Sequence, residues 1–240
     1  MSSRQPQKAG GASAAMQASP SICMTMSAAI APGPPIMALG LASLLLAAFS
    51  LGPQRDVKRF FSCATVAQSG LAAFAFGLGG AAATFAGLLQ MALHTLTRNA
   101  VFQCVGWSVR LKGGQSFADI GGLLLRHRAL GLTLAAGMVA LAGMPPFGLF
   151  ATFFLILSET VDGQPWLAAP LAIGLVVAGW AMAVRLLSLC LGTPTPDRGP
   201  APGLTALVPA WVHLALVFVL GLAMPGPVAA WLAAIAEAAR

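Results

Sequence analysis

Three strongly polar residues, Gln90, His94 and Arg98, lie four positions apart within a largely apolar stretch. Residues four apart share a face of an α-helix, so the three side chains would form one stripe. Imidazole is the side chain whose charge changes nearest physiological pH, whereas a guanidinium stays charged. Polar groups inside a membrane are costly and often functional. The stripe predicts either a buried path for protons or cations, or an interhelical hydrogen-bond ladder that holds helices together.

A second unusual feature is a pair of prolines, Pro145 and Pro146, flanked by Gly143 and Gly148 inside an apolar run. Proline lacks the backbone N–H and clashes with the preceding turn, so a helix must break here. In hydrocarbon, the freed backbone groups are tolerated only where protein or cavity water satisfies them. Broken membrane helices line ion and substrate paths in transporters. A simple proline kink between packed helices is the alternative explanation.

The composition determines the class of protein. Of 240 residues, 58% are hydrophobic and only 8% are charged, and the mean hydropathy is +0.85. Soluble domains carry about 25% charged residues. We therefore expect an all-α, polytopic membrane protein. The net charge of +7 does not indicate nucleic-acid binding, because basic residues of membrane proteins concentrate in cytoplasmic loops.

Apolar segments of about 20 residues are the unit that spans a bilayer. The sequence predicts six such spans, of which the fourth is the discontinuous helix at Pro145 and Pro146. The predicted spans cover residues 35–52, 60–79, 82–109, 129–157, 166–191 and 204–224.

The charges of the loops predict the orientation. Lys and Arg occur in the loops at 53–59, 110–128 and 192–203, whereas the connections near 79–80 and across 158–165 have none. By the positive-inside rule, the three basic loops face the cytoplasm and both termini lie on the opposite side.

The two ends differ from the six-helix region at 34–226. Residues 1–33 are rich in Ser, Ala, Gly, Pro and Gln, which predicts a disordered tail. Residues 227–240 place Trp231, Leu232 and Ile235 near one helical face, which predicts an amphipathic helix in the membrane interface.

The sequence contains no paired-carboxylate site, HExxH, GxSxG or P-loop motif. Its four cysteines, Cys23, Cys63, Cys104 and Cys190, are far apart and lack metal-ligand spacing. We expect no catalytic residue, cofactor or metal site in this chain, and a packing role for the cysteines. Gln68, in the second span, is by itself more typical of a packing hydrogen bond than of a site.

Several short stretches of this sequence are similar to stretches that occur together in one known protein family. The chain resembles the C-terminal half of the proton-conducting antiporter-like subunits of respiratory complex I and of membrane hydrogenases, the group that includes hydrogenase-4 component F. The resemblance extends over about residues 36–235 and is carried by the stretches at 56–59, 67–70, 90–99, 119–123, 142–148 and 210–217.

The resemblance implies a fold and a function. Family members have fourteen spans in two inverted halves, so this chain would supply the last six, with Pro145 and Pro146 in the discontinuous twelfth helix. His94 matches a buried histidine on the eleventh. The implied protein is a multi-pass subunit of a hydrogenase-4 or complex-I-like assembly in the bacterial inner membrane. It would take part in proton translocation with other membrane subunits, which would handle electrons and quinone.

The chain departs from the family pattern at three positions. Gln68 stands where the family usually has histidine, Arg98 where it commonly has lysine, and Phe153 where an acid or lysine follows the prolines. Gln and Phe do not titrate, and Arg keeps its proton. His94 would then be the relay group, Arg98 a fixed charge that tunes it, and Gln68 a hydrogen-bonding or water-holding neighbour, with Gln90 also on the expected proton path. The alternative is a truncated, non-conducting structural or assembly subunit. An upstream reading frame encoding eight spans would favour the working subunit.

Overall fold

The computed structural model describes residues 33–238. The predicted tail, apart from Gly33, and the last two residues of the predicted C-terminal helix lie outside this part of the chain. The described residues form nine helices and no strand. These are α1 (Pro34–Leu51), α2 (Val57–Leu78), α3 (Ala81–Lys112), α4 (Leu123–Arg126), α5 (Arg128–Leu141), α6 (Gly148–Gly163), α7 (Pro165–Leu191), α8 (Leu204–Leu222) and α9 (Gly226–Ala238).

Each of the six predicted spans is helical, and the fourth is divided. Helices α1, α2, α7 and α8 are long and apolar enough to cross a membrane. Helix α3 is longer, with 32 residues, but carries the polar stripe. Helices α5 and α6, with 14 and 16 residues, are each shorter than a bilayer requires and together have enough length. The prediction of an all-α, polytopic membrane protein with one discontinuous helix is confirmed.

Local sequence signals explain where the helices begin and end. The Asp56 carboxylate caps α2 by accepting a hydrogen bond from the Arg59 N–H at 3.0 Å. Helix α3 ends at Gly113, whose positive φ of 73° permits its N–H to bond the Val109 carbonyl. Gly79 and Gly80 both adopt positive φ and reverse the chain between α2 and α3.

Helices α1 and α2 touch through glycines. A Cβ atom on Gly70 would lie 2.7 Å from the Leu44 nitrogen and 2.8 Å from the Gly40 carbonyl oxygen, so the two backbones are in direct contact. In a membrane, no hydrophobic effect drives helices together, because lipid tails are as apolar as the side chains. Helices therefore associate through close packing of this kind. This contact fixes α1 against α2.

The three basic loops lie at the same end of the bundle. The Val57 N–H donates to the Gln115 carbonyl at 2.9 Å, and the Phe117 N–H donates to the Arg55 carbonyl at 3.0 Å. The Arg198 N–H donates to the carbonyl that precedes Lys112 on α3, at 2.8 Å. The loops therefore share one end, as the charge pattern requires, while the side of the membrane stays a prediction.

A single carboxylate, Asp197, organises this basic end. Its Oδ1 lies 2.7 Å from Lys112 Nζ, and its Oδ2 lies 3.1 Å from His127 Nε2 and 3.7 Å from Arg126 Nη1. The Lys112 side chain is fully buried and also donates to the Thr195 carbonyl at 2.7 Å. Hydrogen bonds from Lys112, and secondarily from His127, lower the pKa of Asp197 from 3.8 to about 2.

We predict that Gly70→Ala destabilises the protein, because its methyl group would collide with the backbone of α1. Overpacking of this kind costs about 1–3 kcal/mol. Gly106→Ala is the control, since nothing lies within 4 Å of the corresponding Cβ position. Thermal unfolding in detergent should show a lower Tm for Gly70→Ala only. Equal Tm values for the two variants would contradict direct contact between α1 and α2.

A second prediction concerns acid stability. Because the pKa of Asp197 is lower in the folded protein than in the unfolded chain, its ionised form stabilises the fold above about pH 4. That contribution is lost as the pH falls toward about 2. Asp197→Asn should therefore lower Tm at pH 7, where it leaves buried Lys112 without its counter-ion. The difference from wild type should close as the pH approaches 2.

The control for this measurement is Asp162→Asn, which removes an exposed carboxylate that makes no ion pair within residues 33–238. It should leave Tm unchanged at pH 7. A difference between wild type and Asp197→Asn that stays constant from pH 7 to pH 2 would show that the carboxylate does not stabilise the loops through its charge.

Candidate functional site

The candidate site surrounds the break between α5 and α6, where residues 142–147 leave the helix. A helix end has four carbonyls without helical partners, here those of residues 138–141. Three accept backbone hydrogen bonds from the chain that follows, at 2.9–3.2 Å, and Gly143 adopts a φ of 71° to permit this turn. Pro145 and Pro146 follow at the exposed side of the break.

The fourth carbonyl, that of Leu141, is bonded by a side chain from another helix. Gln68 Nε2 on α2 donates to it at 3.2 Å. All four carbonyls at the end of α5 are therefore satisfied, three by the backbone and one by this amide. Gln68 is a buried side chain that completes a broken helix, which is the structural requirement that hydrocarbon surroundings impose.

Gln68 belongs to a longer chain of buried hydrogen bonds. Its Oε1 accepts from Gln90 Nε2 of α3 at 2.6 Å. The Oε1 atom of Gln90 in turn accepts from the Thr152 hydroxyl of α6. We call Gln68, Gln90 and Thr152 the amide bridge. Gln90 and Thr152 are completely buried and Gln68 is 7% exposed, so the bridge ties α2 and α3 to both sides of the break.

None of the groups in the amide bridge titrates near neutral pH. The Thr152 hydroxyl has one proton, which it shares between Gln90 and the Leu149 carbonyl 2.9 Å away. The bridge fixes geometry and does not itself accept or release protons. Sequence reasoning identified Gln68 and Gln90 but missed Thr152 as their partner. The available signal was a hydroxyl residue in the first turns after a helix break.

His94 lies one turn beyond Gln90 and is 6% exposed. Neither of its ring nitrogens is hydrogen-bonded to a residue within 33–238. The histidine of α8, His213, differs, because its Nδ1 lies 2.6 Å from the Pro209 carbonyl oxygen. His94 is thus a buried imidazole whose ring nitrogens are both free of the surrounding protein described here.

Arg98 does not join this buried group. Four residues advance an α-helix by about 400°, so the stripe turns by about 40° at each step. Gln90 and His94 remain buried, whereas Arg98 is carried onto the exposed face of α3. Its guanidinium carbon lies 5.7 Å from the centre of the Phe102 ring. The single buried axis expected from the spacing therefore ends at His94.

Phe153 fills the space beside the break. Its ring packs so closely on Gly143 that a side chain at that glycine would collide with it. Phe153, Gln68 and Leu141 also line a cavity of about 10 Å³. A cavity of this size accommodates about one water molecule. The aromatic side chain thus occupies the position where the resemblance leads one to expect an acid or lysine.

No cluster of His, Cys, Asp or Glu that could hold a metal ion occurs in the described part of the chain. Cys63, Cys104 and Cys190 are free thiols there, and Cys23 lies outside that part. Within the described residues, the polar side chains grouped at the site are those of the amide bridge and His94.

Comparison with known proteins identifies relatives of the chain. It is 41% identical over 203 residues to the hydrogenase-4 component F homolog of Methylacidiphilum infernorum (isolate V4). It is 25% identical over 207 residues to NADH-quinone oxidoreductase subunit N 2 of Rhizobium meliloti (strain 1021). The alignments include 85% and 84% of this chain but 42% of each relative. The chain thus spans less than half the length of these curated relatives.

Solved structures share the fold. One is the membrane-bound sulfane sulfur reductase, an archaeal respiratory membrane complex, with a TM-score of 0.75 at 23% identity over 89% of this chain and 42% of that one. Another is respiratory complex I from Thermus thermophilus with bound NADH, with a TM-score of 0.75 at 21% identity over 85% of this chain and 43% of that one.

The family described as NADH:quinone oxidoreductase/Mrp antiporter, TM matches residues 8–179, which include the amide bridge, His94 and the helix break. With this match and the 41% identical relative, the chain belongs to that family of polytopic membrane proteins.

Proposed function

We propose that this protein is a membrane subunit of a hydrogenase-4 or complex-I-like assembly in the bacterial inner membrane and takes part in proton translocation. The family match and the hydrogenase-4 component F homolog support this assignment. The partners would be other membrane subunits of the assembly, and these would carry the redox chemistry. The chain itself contributes a bundle with one broken helix and a buried imidazole beside it.

His94 is the proposed proton carrier, and its lack of protein hydrogen bonds is the observation that supports this role. A group that relays protons must exchange hydrogen-bond partners, which a histidine anchored to a carbonyl does less readily. Both ring nitrogens of His94 are free of the described protein, so one can receive a proton while the other releases one. The protons would arrive through water or through a partner subunit, because the adjacent amides do not titrate.

The amide bridge would position the broken helix around this carrier. It satisfies the Leu141 carbonyl and fixes α6 against α3 through Thr152. Arg98, exposed two turns from Gln90, would contribute a permanent positive charge near the path. This arrangement leaves one protonatable group, His94, in the part of α3 that lies beside the break.

A second candidate function is a non-conducting structural or assembly subunit of the same kind of complex. The amide bridge favours it, since groups that do not titrate close the space between α2, α3 and the break. Under this alternative, the polar groups hold the helices together, and His94 has no transport role.

The two candidates differ in the predicted effect of His94→Gln. In the complete assembly reconstituted into vesicles, loss of the carrier should reduce proton movement by about 10²-fold or more, in the range found for removing a proton-transfer group. Glutamine retains hydrogen-bonding capacity, so assembly should be intact. His213→Gln is the matched control and should transport like wild type. Unchanged transport by His94→Gln would favour the structural subunit.

The structural role of Gln68 is tested by stability. Gln68→Leu would leave the Leu141 carbonyl and the Gln90 amide without their buried partner, at a cost of about 1–3 kcal/mol for each unsatisfied group. A lower Tm is expected in detergent, whereas Gln115→Leu, at an exposed loop position, should leave Tm nearly unchanged. Gln68→His should restore much of the Tm, because imidazole has one donor and one acceptor. If the Tm of Gln68→Leu equals that of the wild-type protein, the stabilising role of the amide bridge is contradicted.

A further inference from the structure

Phe153 stands between two spaces of very different size. The smaller is the cavity of about 10 Å³ beside Gln68, which we call the inner cavity. The larger is a cleft of about 580 Å³ between α6 and α7, which we call the α6–α7 cleft. Phe153 lines both spaces, together with Ala142, Leu175 and Gly179. Its side chain is the bulkiest of these four, so its ring is the main part of the wall between the two spaces.

The ring of Phe153 is held closely by its surroundings. A Cβ atom on Gly143 would collide with the ring, so the ring lies directly against the backbone of the helix break. Phe153 also packs against two separate apolar clusters, one that contains Ile156 and one that contains Leu93. Protein interiors packed this closely contain few voids larger than a water molecule. The ring therefore closes the passage from the cleft to the inner cavity.

The polar groups of the site begin on the inner side of this ring. Gln68 lines the inner cavity and Gln90 donates a hydrogen bond to Gln68, while His94 lies one turn from Gln90 on α3. In the described part of the chain, neither the amide bridge nor His94 lines the α6–α7 cleft, whose walls include the apolar rings of Phe154 and Trp180. The wall formed by Phe153 thus separates an apolar cleft from a polar, buried network.

Separation of the two spaces matters for any transfer of protons at this site. Closed sites exclude water and so prevent leakage of protons. The inner cavity accommodates about one water molecule. If it joined the cleft, a continuous file of water could reach the Gln68 amide and the groups bonded to it. Protons could then bypass a controlled path.

We propose that Phe153 is a barrier against water that insulates the amide bridge from the α6–α7 cleft. The inference rests on the proposed role in proton translocation and adds the side on which the path is closed. A phenyl ring suits this task, because it is large and has neither a hydrogen-bonding nor a titratable group. The absence of a side chain at Gly143 allows the ring to seal directly onto the break.

The first test measures whether a reagent dissolved in water reaches the inner cavity. Ala64→Cys places a thiol in the wall of that cavity, at a position that is 2% exposed, and Ala183→Cys places one in the wall of the cleft only. Both are made in the complete assembly, with the four native cysteines of this chain replaced by alanine. A charged methanethiosulfonate is added, because it reacts with the thiolate, which forms where water is present. Labelling of this chain is followed by mass spectrometry.

With Phe153 present, Ala183→Cys should react and Ala64→Cys should be protected. In the Phe153→Ala background, the reaction rate of Ala64→Cys should rise at least tenfold. Phe154→Ala is the matched control and should leave Ala64→Cys protected, because Phe154 lines the cleft but not the inner cavity. The barrier is overturned if Ala64→Cys reacts equally in all backgrounds or stays protected without Phe153. It is also overturned if Ala183→Cys does not react, since the cleft would then hold no water to exclude.

The second test measures the passive proton conductance of vesicles that contain the assembly without its substrates. Phe153→Ala should raise this conductance at least tenfold over wild type, whereas Phe154→Ala should leave it unchanged. If Phe153→Ala does not co-purify with the assembly, Phe153→Val replaces it in both tests, with a smaller but measurable rise expected. An unchanged conductance in an assembled Phe153 variant would overturn the proposal.

These outcomes are separate from those of the proposed function. If transport depends on His94 but Ala64→Cys reacts equally with and without Phe153, the barrier is wrong and the proposed function stands. If Phe153→Ala exposes Ala64→Cys and raises the conductance while His94→Gln transports like wild type, the barrier stands and the proton role of His94 fails.

Discussion

The middle of this protein is organised around the need of the Leu141 carbonyl for a hydrogen-bond donor. A break in a membrane helix frees backbone groups, and hydrocarbon offers them no hydrogen bonds. Three of the four carbonyls at the end of α5 are bonded by the turn that follows, but the fourth needs a donor from elsewhere. Gln68 is that donor, and its amide is held in turn by Gln90 and Thr152. Four helical segments are therefore positioned by one short series of buried bonds.

The use of a glutamine as the donor to the Leu141 carbonyl has a functional consequence. A glutamine amide offers both a donor and an acceptor, so it can connect two neighbours at once, but it does not change its charge. The chain thus combines a well-satisfied helix break with a bridge that cannot relay protons. His94 has the opposite properties, because it can change its charge and is not held by the described protein. Under the proposed function, positioning of the broken helix and proton transfer would therefore belong to different side chains one helical turn apart on α3.

At the basic end of the bundle, a single side chain likewise connects several segments of the chain. Positive charge in these loops orients a membrane protein, yet the loops must also pack together without mutual repulsion. Asp197 resolves this by contacting Lys112, Arg126 and His127 from one carboxylate. Hydrogen bonds from Lys112, and secondarily from His127, favour its ionised form, which lowers its pKa to about 2. One acid in the loop after α7 therefore links the ends of α3 and α4.

The sequence alone determined the helices, the break at Pro145 and Pro146 and the grouping of the basic loops, together with the family to which the chain belongs. The helices, the break and the grouping of the basic loops depend on composition, on proline geometry and on charge along the chain, which are local properties, whereas the family was indicated by the resemblance of several sequence stretches. His94 and Gln90 were also identifiable as polar residues on one helix face.

The tertiary structure decided which of these groups meet. Spacing placed Arg98 on the same stripe as Gln90, but the gradual rotation of that stripe around α3 carries Arg98 to the outside. Thr152 and the Leu141 carbonyl became partners of the glutamines only through the relative rotation and depth of α2, α3 and α6. Asp197 likewise meets Lys112 across 85 residues of sequence. Periodicity specifies the face on which a side chain lies, whereas contacts between helices depend on how the helices pack, which no single segment encodes.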